Sequence, residues 1–372
     1  LLGVASILNA AVVAAAPYRP QDDAMILASL PASVPRVPGG TDRALPPATA
    51  AEVARILIER FRASGDPREL GHAQAVLGPW WRIEDAPDDI LLIRATLQQS
   101  QHAFDAALAD LDRLLRRRPD HAQAWLTRAT VLRVRGEFEP AADACAKLEG
   151  LGTPFVAELC SASVQALSGG LSAARVRMDR LAQQRVRQPQ AIDAWFAAEQ
   201  LEMSVRAGDV ESAIAQAADA LSRHPNDLGL QAAQADRLLD RGDPQAVIEM
   251  IPAETPVDAL RLRLALAFHQ AGDARFAQLD ALIMDGFAAA HRRGDVPHLR
   301  EEARYRLDTG RDPQAALALA QRNWEIQREP WDLRILLEAA IAAARADVET
   351  AAWQWADRNG VVDARLPARR PG

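Results

Sequence analysis

Lysine is almost missing from this chain, cysteine is scarce, and aromatic and strand-forming runs are few. Each lack closes off a class of protein. Lys147 is the single lysine, and the 43 Lys and Arg residues are outnumbered by 50 Asp and Glu, leaving a formal charge of −7. A protein that binds duplex nucleic acid usually carries a basic face, so no nucleic-acid partner is expected. The preference for arginine over lysine fits a GC-rich coding bias before it fits a function. Two cysteines, Cys145 and Cys160, are too few for a thiolate zinc site. A phosphate-binding glycine loop, a Gly-x-Ser-x-Gly elbow and a His-Glu-x-x-His pair are all missing, so neither a cofactor nor a catalytic centre is expected. Aromatic residues make up 5% of the chain, which argues against a sheet. Alanine and leucine dominate a sequence that is 49% hydrophobic, and the expected class is all-α.

What is present is a repeat. Slid along itself by 34 residues, the stretch from Asp88 to Leu148 matches. Leu92 falls on Leu126, Arg94-Ala95-Thr96 on Arg128-Ala129-Thr130, Phe104 on Phe138, and Ala107 on Ala141. A fixed period of this size marks stacked supersecondary units. Trp125, Ala129 and Leu132 stand at i, i+4 and i+7, one face of a helix, and Ala141, Cys145 and Leu148 repeat the stripe on a second. Gly136 lies between them, where a left-handed residue can end the first helix. Small residues at Ala129 and Ala141 allow the two helices to approach closely.

This spacing resembles the tetratricopeptide repeat family, in which each repeat is a helix–turn–helix. The resemblance covers about Thr49 to Gly360 and is most specific in the middle. It implies a right-handed α-solenoid of about eight or nine antiparallel helix pairs that acts as a protein-interaction scaffold without enzymatic activity. Further turns are marked by Gly65-Asp66-Pro67, Gly242-Asp243-Pro244, Gly208-Asp209, Gly272-Asp273, Gly310-Arg311-Asp312-Pro313 and Gly170, with Ala213 at the position of Ala141 in its own repeat. His102 stands where its repeat should carry glycine. Pairs are expected to start near residues 51, 88, 122, 155, 194, 228, 258, 296 and 332, with Thr49 as a first N-cap. The pair at 228 should have a short second helix, and the pair at 258 a long one.

By the same resemblance, the first helix of each pair lines the concave face. Carrying the register over points Leu92, Thr96, Gln99, Leu126, Thr130, Arg133, Trp195, Glu202, Asp236, His269, Arg300 and Arg304 into the groove. The lysines and asparagines of a carboxylate clamp are replaced here by leucine and threonine. The mixed surface suits an extended or helical protein segment. A small-ligand binder or enzyme inside the superhelix is the rival without a supporting motif.

The ends read differently. Residues 1–16 are apolar and then small, which fits the remnant of an export signal cut after Ala15; a retained short anchor and an ordinary first helix are the alternatives. Residues 17–48 form a Pro/Gly-rich linker, 49–360 the solenoid, and 361–372 a flexible tail. A periplasmic or secreted location follows from an export signal, with membrane association only through an uncleaved N-terminal segment. In an exported chain Cys145 and Cys160 could pair; otherwise both are small buried hydrophobes. Trp80-Trp81 should place one ring in the core, and Trp324, Trp331, Trp353 and Trp355 should seal the last hydrophobic face of the array.

Overall fold

The computed structural model describes residues 45–151, 154–185, 188–293 and 299–369. The expected export signal, and the linker up to residue 44, lie outside the described residues. Eighteen α-helices and no strand occur among the described residues. They form nine antiparallel pairs. The first helices are α1 (Pro47–Ser64), α3 (Asp88–Ser100), α5 (Ala122–Val134), α7 (Pro154–Leu167) and α9 (Gln190–Arg206). They continue with α11 (Leu228–Asp240), α13 (Asp258–Ala271), α15 (Leu299–Asp308) and α17 (Pro330–Ala342). The second helices are α2 (Arg68–Val76), α4 (Phe104–Arg117), α6 (Phe138–Ala146), α8 (Leu171–Ala182) and α10 (Val210–Arg223). They continue with α12 (Pro244–Met250), α14 (Phe276–Arg293), α16 (Pro313–Ile326) and α18 (Ala346–Arg358). Each of the nine starts falls within a turn or so of its expected position. Both the short α12 and the long α14 are as expected.

Local chemistry sets the breaks. Gly136 takes φ +75°, and the Glu137 N–H donates to the Leu132 carbonyl at 2.9 Å, closing α5. Asp209, Asp227, Asp243 and Asp312 cap their helices by accepting the N–H three residues on. His102 takes the left-handed conformation in place of glycine, with φ +59°. Two local expectations need correction. The left-handed turn residue before α8 is Gly169, at φ +85°, whereas Gly170 has φ −102°. Thr49 is not the N-cap of α1, because Pro47 already occupies the first helical position, which its fixed φ suits.

Ala95, Ala107, Ala129, Ala141 and Ala213 are all buried where paired helices meet. Larger apolar side chains from successive pairs then fill the space between repeats. Cys145 on α6 and Cys160 on α7 form a disulfide with Cα atoms 5.6 Å apart. Trp80 and Trp81 both lie half-buried against the core of the first two pairs, so neither ring is fully inside.

The array does not run on as an open spiral; later pairs return onto the turns of earlier ones. A Cβ added at Gly65 would come 3.1 Å from Val257, and one at Gly136 would come 3.1 Å from both Arg328 and Trp355. The Arg328 N–H donates to the Val134 carbonyl at 2.7 Å. Gly169 meets Gly360, and Gly208 meets Ala364. This seam uses the aromatic residues that were expected to seal the end. Trp355 packs against Phe138 and, edge-on, against Trp324, with ring centroids 6.0 and 4.8 Å apart. The last pair is therefore docked on the third one. Residues 361–369 of the stretch expected as a flexible tail also belong to the seam: the Ala364 N–H donates to the Arg206 carbonyl at 2.8 Å.

Candidate functional site

The first helices of the first five pairs line an open cavity of about 530 Å³. Seven of the residues expected in the groove line it: Leu92, Thr96, Gln99, Leu126, Thr130, Arg133 and Trp195. Their convergence follows from the repeat. Thr96 and Gln99 on α3, and Leu126, Thr130 and Arg133 on α5, share one face of their helices at three- and four-residue spacing. Arg55, Glu59 and Arg62 of α1 form one rim, and Cys160, Ser163 and Val164 of α7 contribute to the wall.

The polar groups of this cavity have definite roles. Thr96, Thr127 and Thr130 donate their hydroxyls to the Leu92, Gln123 and Leu126 carbonyls at 2.9, 2.9 and 3.0 Å. Their protons are spent on their own helices; the Thr127 oxygen already accepts from Gln123 Nε2 at 3.4 Å, and those of Thr96 and Thr130 are left as acceptors. Arg133 donates to Glu199 at 2.7 Å, and the Trp195 indole N–H donates to the same carboxylate at 3.1 Å. Burial opposes the charge on Arg133, but Glu199 and Glu329 outweigh it and hold its pKa above the ordinary value. Ser163 Oγ is buried without a hydrogen-bond partner.

The other expected groove residues do not join the cavity. Arg304 donates to Asp236 at 2.5 Å and lies over the Trp331 ring at 4.8 Å, while Arg263 reaches the other Asp236 oxygen at 2.7 Å. Arg300 sits 3.5 Å from both Glu329 and Asp332. Glu202 receives Arg365. His269 packs on Phe276, with ring centroids 4.8 Å apart. The space left among Asp236, Arg263, Arg300, Arg304 and Trp331 is only about 40 Å³. This half of the face is filled by the protein's own ion pairs.

Arg62, Gln123, Thr127, Ser163, Cys160 and Val164 were not expected at the site. A signal for the last two existed: Cys160 and Val164 stand 34 residues after Leu126 and Thr130. Extending the period by one more repeat would have placed them. Among the described residues no group of three His, Cys, Asp or Glu could hold a metal ion. None of their helices is long and apolar enough to cross a membrane.

No protein-family model matches the chain, and no curated protein matches it. Among solved structures it is similar to a tetratricopeptide repeat protein from Parabacteroides merdae ATCC 43184, at 14% identity over 77% of this chain and 99% of that one, with a TM-score of 0.40. It is also similar to a chain of the APC/C hetero-tetramer Cut9-Hcn1, at 13% identity over 80% of this chain and 54% of that one, with a TM-score of 0.45. The fold itself rests on the chain's own nine pairs, their left-handed turns and the 34-residue period of their best-matched members. By architecture the chain is an α-solenoid of tetratricopeptide type.

Proposed function

We propose that this protein is a non-enzymatic scaffold that holds a segment of a partner protein in the cavity between α1 and α9. The observation that carries this reading is the meeting of seven groove residues from three separate helices at one water-accessible cavity. Its chemistry favours polypeptide. The Thr96 and Thr130 oxygens offer acceptors to backbone N–H groups, and Leu92, Leu126 and Val164 provide an apolar floor. The seam ties the surrounding solenoid back on itself, which lowers the ordering on the protein's side that opposes binding. Export to an oxidising compartment is part of the proposal, supported by the Cys145–Cys160 bridge.

Site-specific photo-crosslinking in native cells tests the binding role. Probes at Thr96, Thr130 and Trp195 should capture one protein that a probe at the distant Arg116 does not. A capture pattern shared by all four positions, or none at the cavity, would remove the reading. Fractionation with N-terminal sequencing tests export: a mature start near Ala16 supports a cleaved signal, and an intact start in the membrane fraction supports an anchor.

A further inference from the structure

The stretch 361–369 crosses the solenoid as a strap without helix or strand, with a turn at Ala364-Arg365 in which the Leu366 N–H donates to the Asp363 carbonyl at 3.2 Å. It begins at Gly360, whose left-handed backbone packs directly on that of Gly169. The Ala364 N–H donates to the Arg206 carbonyl at 2.8 Å, and the Arg206 guanidinium donates to the carbonyls of Val362 and Ala166 at 3.0 and 2.9 Å. Asp363 accepts the Arg365 N–H at 2.9 Å and orients that side chain. Arg365 then reaches Glu202 and lies over the Trp331 ring at 4.9 Å. Val361 and Leu366 pack on the apolar core of the last two pairs. The strap thus makes the contacts of a bound peptide: main-chain hydrogen bonds, two apolar anchors and an oriented charge.

Closing this strap has a cost. Arg206 is 1% exposed, and its Nε has no hydrogen-bond partner. Burial lowers the pKa of Arg206, whose charge therefore prefers water to its covered state. Opening the strap rehydrates this group, which offsets part of the lost contact.

We propose that the strap is a displaceable internal ligand, and that the surface under it, built by Glu202, Arg206 and Trp331, recognises a non-helical, turn-forming protein segment of the order apolar–apolar–acidic–small–basic. A partner carrying that order takes the strap's place on that surface. This surface is separate from the cavity, so the two readings stand or fall independently.

The probe is a fluorescent nine-residue peptide with the sequence of Val361 to Arg369, added to the full chain and followed by anisotropy. An Arg365→Glu chain, with its own strap released, should bind it about tenfold or more tighter than the unaltered chain, whose site is open only a small fraction of the time. Adding Glu202→Arg reverses the pair, lets the chain's own strap close again and should abolish that binding. Equal binding by the altered and unaltered chains overturns the proposal. So does no binding by an Arg365→Glu chain that keeps its helical circular dichroism and melting. If that variant fails to fold, hydrogen exchange on the unaltered chain decides. The Ala364 amide should exchange about a hundredfold faster than the core amides of α9. Exchange of Ala364 only through global unfolding overturns the proposal.

Discussion

Gly169 and Gly360 touch backbone to backbone: a Cβ on Gly360 would lie 2.8 Å from the Gly169 Cα. This is the tightest point of the seam. A solenoid repeat normally contacts only its neighbours in sequence. Here the fourth pair meets the end of the ninth, so the seam links units that the simple array would leave independent.

Gly360→Ala should therefore be more harmful than an ordinary turn substitution. Both Gly360, at φ +62°, and Gly242, at φ +70°, need the left-handed region, which costs an alanine about 1–2 kcal/mol. Only Gly360 adds a backbone clash; nothing lies within 4 Å of a Cβ at Gly242. Urea unfolding should show Gly242→Ala losing about 1 kcal/mol and Gly360→Ala clearly more. Equal losses would mean that the seam contributes nothing to stability.

The repeat made the pairs legible because each carries its own start and stop. Gly-Asp-Pro and its variants, the alanines at Ala129 and Ala141, and the 34-residue period are all local marks. The seam has no such mark. Gly136 reads as a helix stop, and nothing nearby in sequence says that Trp355 and Arg328 will press against it. For the same reason the register put Thr96, Thr130 and Arg133 on one face, which in the structure lines an open cavity. It placed Arg304 and Glu202 on the same face without revealing that Asp236 and Arg365 would occupy them. Periodicity reports which face a residue takes; it does not report what the distant chain lays upon that face.

Arg94 and Arg128 occupy the same position in successive repeats, yet their substitution should differ. Arg94 is buried, donates to both oxygens of Asp110 at 2.6 and 2.7 Å, and also holds the carbonyls of Trp80, Trp81 and Ile83. It pins the link between the first two pairs. Arg94→Ala leaves the buried Asp110 with only Arg113, 3.4 Å away, and leaves three carbonyls without their donor, a loss of about 3 kcal/mol. Arg128 pairs with the more exposed Asp112 at 3.1 Å, and Arg128→Ala should cost under about 1 kcal/mol. Denaturant midpoints of the two variants check the difference, and similar values would contradict the buried network.

The disulfide joins α6 to α7 across a separation of 15 residues. Closing a loop of that size restricts the unfolded chain and is worth about 3 kcal/mol. A Cys145→Ala, Cys160→Ala chain should lose about that much in denaturant unfolding and should no longer respond to a reductant. Cys160 also lines the cavity wall, so affinity for a cavity-bound segment should fall in parallel. Unchanged stability on reduction of the native chain would show that the bridge is not formed.

Asp332 gives the protein a pH dependence opposite in sign to that of most paired carboxylates. Burial pushes its carboxyl up to about 6, against the pull of Arg300 and of hydrogen bonds from the Glu329 N–H and Asn323. The folded state then binds a proton more readily than the unfolded state, whose carboxyl titrates near the usual value of about 4. Its ionisation weakens the fold at neutral pH, and that penalty is relieved as pH falls from about 7 towards 4. Other groups change over the same range, so the comparison must be with Asp332→Asn, in which they are shared. From pH 7.5 to 4.5 the stability of the unaltered chain should rise relative to the variant by about 2 kcal/mol. A gap between the two that stays constant across this range, or moves the other way, would show that Asp332 is ionised at no cost inside the fold.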